Sequence, residues 1–280
     1  MHLVTLWLLR ARAVTRRRWV VLGGGTRVHH TTRALATLAA SPPPPSPPEA
    51  RALVEALAVR YPQTEVPDDG VLASWERAYA DAMIPVYEAY GDDPDIAALY
   101  IDSQIMLTPW QIYDVDKCAP NPEAREREIQ AALERSLAGT GADHIGVLHF
   151  DIHVQEMSPT PEKALPSARR LQELAPPDAG HLQHMPSHIH ALVGDFDEAT
   201  RCSRLSMATD KRFMANLHRT PFYRTLVCHD VHMLMFAGMQ TGNLADAADA
   251  AIVMAEILEN VLVHPPVTHM DMTLEGYYAT

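Results

Sequence analysis

Cysteine is scarce in this sequence: Cys118, Cys202 and Cys228 are the whole complement, with no Cys-x-x-Cys pair among them. An odd, scattered set excludes a disulfide framework and a thiolate zinc ribbon, and reduced thiols fit a cytoplasmic protein. No apolar run approaches the roughly 18 residues that a membrane-spanning helix needs, so no membrane partner is expected. Positive charge is also in deficit. Lys and Arg total 23 against 35 Asp and Glu, a net charge of −12, which argues against nucleic acid as a partner. The Gly-x-Ser-x-Gly nucleophile elbow and the His-Glu-x-x-His zincin signature are both missing, so neither of those hydrolytic chemistries applies. The glycine run at Gly23, Gly24 and Gly25 lacks the Gly-Lys-Ser/Thr ending of a phosphate loop.

What remains is a chain of 280 residues, 47% apolar and 21% charged, with ample length for a hydrophobic core. Residues 1–33 carry seven arginines and no acid, and six prolines follow between Pro42 and Pro48. Residues 1–49 are therefore expected to form a disordered Arg-rich and Pro-rich extension without a functional role. From residue 50 to 280 the pattern is helical almost throughout. Helices are expected at roughly 49–60, 71–90, 94–107, 122–138, 143–157, 161–174, 181–193, 196–209, 222–240 and 244–262, punctuated by Gly and Pro. Short turns between helices of this length imply antiparallel neighbours. Tyr87, Tyr90, Trp110 and Tyr113 are expected to pack between them.

Internal repetition sharpens the fold expectation. GDFDEA (Gly194–Ala199) matches the turn between the two helices of a tetratricopeptide repeat, and TGNLADA (Thr241–Ala247) and SPTPEKA (Ser158–Ala164) repeat it. The turn alanines Ala164 and Ala199 lie 35 residues apart, and Ala247 follows 48 residues after Ala199. The longer interval points to an enlarged connection around Lys211–Pro221. A small residue at each turn lets paired helices approach closely. The fold expected is all-α, a right-handed stack of helical hairpins, with an irregular helical bundle as the alternative.

Three stretches carry a more specific resemblance: HFDIHVQEMSPTPEKALPSARRL (149–171), GHLQHMPSHIHALVGDFDEA (180–199) and CHDVHMLMFAGMQTGNLADAADAA (228–251). Residues 50–280 resemble a largely uncharacterised family of bacterial and fungal tetratricopeptide-repeat proteins. Asp230 stands where the family usually has Asn. The resemblance implies a concave, ligand-holding groove and a chain that continues past Thr280, but no established reaction.

Histidine is the abnormal constituent. Ten of fifteen fall between His144 and His232. His149, His184 and His232 each precede their turn alanine by 15 residues, His153 and His188 by 11, and His181 and His229 by 18. These offsets differ by three and four, so all seven share one face of the first helix of each unit. Three readings follow: buried histidines in a polar core, a groove for a peptide or anion, or a transition-metal site. Imidazoles at i and i+4, as in His149/His153 and His184/His188, can reach one cation, and Glu156 or Asp230 would complete a shell suited to zinc, iron, manganese or copper. His149, His153, His184, His188 and His232 are expected to converge. His181 and His229 would serve a second ion or orient the ligands, and His190, rotated away, is excluded. Pro186 threatens the His184/His188 pair with a kink. Cys228 beside His229 is read as packing. The functional expectation is a metal-binding helical-repeat protein acting on a small molecule, with Glu156 for proton transfer. A non-catalytic peptide adaptor is the alternative.

Overall fold

The protein is described here by a computed structural model covering residues 47–62, 69–216 and 221–263. Nearly all of the expected 1–49 extension lies outside these, as do His218, His264 and His269. The described chain is mostly helical, as its periodicity requires. Its contacts group the protein into two compact units, Met1–Val147 and Leu148–Thr280.

In the first unit α1 (Pro48–Arg60) packs on α2 (Asp69–Tyr90), α2 on α3 (Pro94–Ile105), and α3 on α4 (Glu126–Leu137). Asp93 caps α3 by accepting the Asp95 N–H at 2.9 Å, and Pro94 occupies the first helical position, where its missing N–H costs nothing. A minimal antiparallel ladder pairs β1 (Tyr113–Asp114) with β2 (Ala119–Pro120) between α3 and α4. Tyr113 is buried there, its hydroxyl donating to Glu126 at 2.6 Å, and Tyr87 stacks on Tyr100 at 4.3 Å. Trp110 corrects the aromatic expectation. It is 70% exposed at φ 55, because it sits in the turn that leaves α3 rather than on a helix face.

Next in the chain are α5 (Ile145–Gln155), α6 (Leu165–Leu174), α7 (Gly180–His184), α8 (Pro186–Leu192), α9 (Phe196–Asn216), α10 (Pro221–Thr241) and α11 (Leu244–Val263). In the second unit α8 packs on both α6 and α9, α9 on α10, and α10 on α11. The turn alanines Ala164, Ala199 and Ala247 are all buried, as close helix approach requires. Gly194 ends α8 at φ 83, and the Asp195 N–H reaches back to the His190 carbonyl at 2.8 Å. That is the left-handed helix stop for which glycine is suited. The longer interval between Ala199 and Ala247 extends α9 to Asn216; residues 217–220 are outside the described set. No described helix is long and apolar enough to cross a membrane.

The thiols follow this packing. Cys202 and Cys228 are buried and Cys118 is exposed. Burial raises the Cys202 thiol and pushes Cys228 up to about 12, so both stay protonated and shielded. A thiol-specific reagent is expected to modify Cys118 alone in the folded protein. Mass spectrometry of the labelled chain checks this, and prompt modification of Cys228 would contradict it.

Candidate metal centre

The site lies in the second unit, on α5, α7, α8 and α10. One helical turn separates His149 from His153 on α5, and their rings sit 4.6 Å apart. His184 and His188 sit similarly, with ring centroids 4.7 Å apart, although they straddle Pro186. The expected disruption does not occur. Met185, wholly buried, keeps right-handed helical dihedrals (φ −49, ψ −41), so α7 runs into α8 with the spacing of the pair intact. The Gly180–His181 step at the start of α7 also depends on its glycine. A Cβ at Gly180 would come within 2.1 Å of an Asp210 carboxylate oxygen.

Three ring nitrogens meet at the centre. His184 Nε2 lies 2.8 Å from His188 Nε2 and 3.1 Å from His229 Nε2, and the third edge of the triangle is also 3.1 Å. A neutral imidazole offers one donor and one lone pair, so protons cannot satisfy all three edges at once. A single ion with nitrogen ligands at about 2.0–2.1 Å in tetrahedral geometry spaces them roughly 3.3 Å apart, close to these edges.

Carboxylates fix the outward nitrogens. Glu156, just past α5, contacts His153 Nδ1 through one oxygen and His188 Nδ1 through the other, each at 2.7 Å. A carboxylate only accepts, so both Nδ1 atoms carry protons and both Nε2 atoms are left for a ligand. Burial opposes ionisation of Glu156, yet His188 and His153 hold it well below the usual carboxylate range. Glu156, expected from the sequence to transfer protons, has both its oxygens engaged by His153 and His188. Asp230, fully buried on α10, accepts from His181 Nδ1 at 3.3 Å and from Ser206 Oγ at 3.2 Å. Ser206 also lies 3.4 Å from Asp210, so polar contacts run from His181 to α9.

Beside the triangle, His149, His153 and His181 form a second group with ligand atoms within 4.8 Å of one another. His149 is partly buried, but its Nε2 is inaccessible and has no hydrogen-bond partner. His181 falls beside the α5 pair, one of the two places the sequence expectation allowed it, and His229 falls within the triangle itself. His232 is a correction in the other direction. It is exposed and stands outside every group of potential ligands among the described residues. The buried face of α10 runs through Val227, Asp230, Val231 and Leu234, which turns position 232 outward. His190 is buried at 1% exposure, 3.5 Å from Asp195 and in no group. His144 belongs to the first unit, where its ring joins Asp95 (3.0 Å) and the Val147 N–H (3.3 Å). Sequence reasoning missed Asp230 as the partner of His181, and Ser206 and Asp210 behind it.

Burial, reinforced by neighbouring imidazoles, depresses His149, His184 and His229 well below the ordinary histidine range. His188 is raised because Glu156 outweighs its burial. The depressed groups are neutral when folded and take protons more readily when unfolded. They therefore stabilise the metal-free fold fully above about pH 6.5, and that stability is lost as pH falls below it. His188 works in the opposite sense, but it is one group against these three and against His153, which burial also lowers. Thermal melting of metal-free protein is expected to shift downward from pH 7.5 to pH 5.5; an unchanged or rising midpoint would contradict the assignment of buried neutral imidazoles.

A scan against protein-family models and searches of curated proteins and of solved structures found no match to this chain.

Proposed function

We propose that this protein binds a divalent transition-metal ion through His184, His188 and His229, within a tetratricopeptide-like right-handed stack of helical hairpins. The observation that carries the reading is the Nε2 triangle with edges of 2.8, 3.1 and 3.1 Å, unsatisfiable by protons alone. Three neutral nitrogen donors favour zinc, copper or iron over magnesium or calcium. Three ligands leave a tetrahedral ion one open position, as in metal sites that act on small molecules. The solenoid part of the proposal is supported by the 35-residue interval shared by the turn alanines and the histidine pairs, and by the burial of all three alanines.

Competition titration of metal-free protein, purified without an affinity His-tag, against a chromophoric zinc chelator tests the proposal. Submicromolar zinc binding is expected. Binding no tighter than millimolar would sink the metal reading and leave the peptide-adaptor alternative.

A further inference from the structure

The two histidine triads are built by one rule. His149 and His153, an i/i+4 pair on α5, are joined by His181 on α7, with α6 between; His184 and His188, an i/i+4 pair across α7 and α8, are joined by His229 on α10, with α9 between. Shifting the first pair by 35 residues gives the second pair, and shifting His181 by 48 residues gives His229. These are the same intervals that separate Ala164, Ala199 and Ala247. The rule lapses at the third repeat, where His232 has Phe236 at i+4, and both are exposed. From this we infer that the protein holds two transition-metal ions, the second bound by His149, His153 and His181.

The inference rests on the reading of the first triad as a metal site, and three observations extend that reading. His149 Nε2 is buried without a partner. Glu156 takes His153 Nδ1 and Asp230 takes His181 Nδ1, which leaves Nε2 of each for a ligand. The ring spacings of the outer triad are 4.6, 5.4 and 6.2 Å, against 4.7, 4.7 and 5.1 Å in the inner one. The i/i+4 pairs match closely, and the outer triad is the wider of the two. His181 also lies near His229 and Asp230, but His229 Nε2 already belongs to the triangle, so the outer triad is the one that uses a separate nitrogen from every ring.

The triads adjoin. The His181 ring centre is 5.9 Å from His184 and 6.0 Å from His229, and Glu156 ties His153 of one triad to His188 of the other. Two ions with three protein ligands each leave open positions on neighbouring metals, which suits a small bridging ligand such as water, hydroxide or dioxygen. The class of ion is a late first-row metal with affinity for imidazole, copper or zinc foremost.

Zinc stoichiometry of the untagged full chain tests this, by equilibrium dialysis followed by elemental analysis. Two zinc ions per chain are expected in the unaltered protein, and one in the His149→Ala/His153→Ala variant. One ion per chain, lost in His184→Ala, would overturn the second site and leave the first. Two ions retained in the double variant would place the second ion elsewhere and also overturn it. No bound zinc would overturn both readings. A readout that needs no substitution is the electron paramagnetic resonance of the Cu(II)-loaded protein. Adjacent Cu(II) ions interact magnetically, so the signal is expected to be dipolar-broadened or to integrate to under the bound copper; a full-intensity signal with the sharp lines of isolated ions would overturn the pairing.

Discussion

His184→Ala is expected to weaken zinc binding by more than about 100-fold, beyond the 10–100-fold typical of losing a group that merely orients a ligand. His184 is fully buried, and its Nε2 is the vertex at which the 2.8 and 3.1 Å edges meet. Its removal leaves His188 and His229 as two nitrogens without a third. His190→Ala supplies the control, because His190 is equally buried, loses the same atoms and touches no triad. Zinc affinity by chelator competition should fall in the first variant and hold in the second. Equal affinities, or a loss confined to His190→Ala, would contradict the site.

Glu156→Ala should have the next largest effect, a loss of about 10–100-fold in zinc affinity with all the ligands still present. The carboxylate holds two histidines at once, each at 2.7 Å, and supplies the negative charge beside several imidazoles. Without it both Nδ1–H groups lose their acceptor, each ring is free to change tautomer, and the bound cation loses a nearby counter-charge. Glu156→Gln keeps one accepting oxygen for two donors, so it should fall between wild type and Glu156→Ala. The same chelator competition ranks the three proteins. Unchanged affinity in both variants would show that Glu156 neither orients nor supports the ligands.

The i/i+4 pairs were legible in the sequence because they depend only on helical geometry, which Pro186 did not break. The burial of the turn alanines was legible for a similar reason, since each lies at or just inside the start of a helix after a Gly or Pro turn, and a small residue there lets helices approach closely. The third member of each triad was harder. It comes from a helix further along the chain, His181 on α7 and His229 on α10, and the 18-residue offset identified these residues but gave them an outer position. His232 was misplaced because the offset from a turn alanine measures position along a helix. Which side faces the neighbours depends on packing, here the burial of Val227, Asp230, Val231 and Leu234. Glu156 was visible on the stripe, but its task depends on His188, 32 residues away. The Asp230–Ser206–Asp210 contacts join two helices, and no local spacing announces them. In the first unit, the exposure of Trp110 was illegible because a residue type prefers burial only on average.

The most direct measurement is the metal content of the full chain as it is purified, without a His-tag and without chelator, by elemental analysis. The triads predict zinc, copper or iron at one or more equivalents per chain, and one equivalent fewer in His184→Ala. Protein that emerges metal-free, and stays so after dialysis against micromolar zinc or copper, would contradict them.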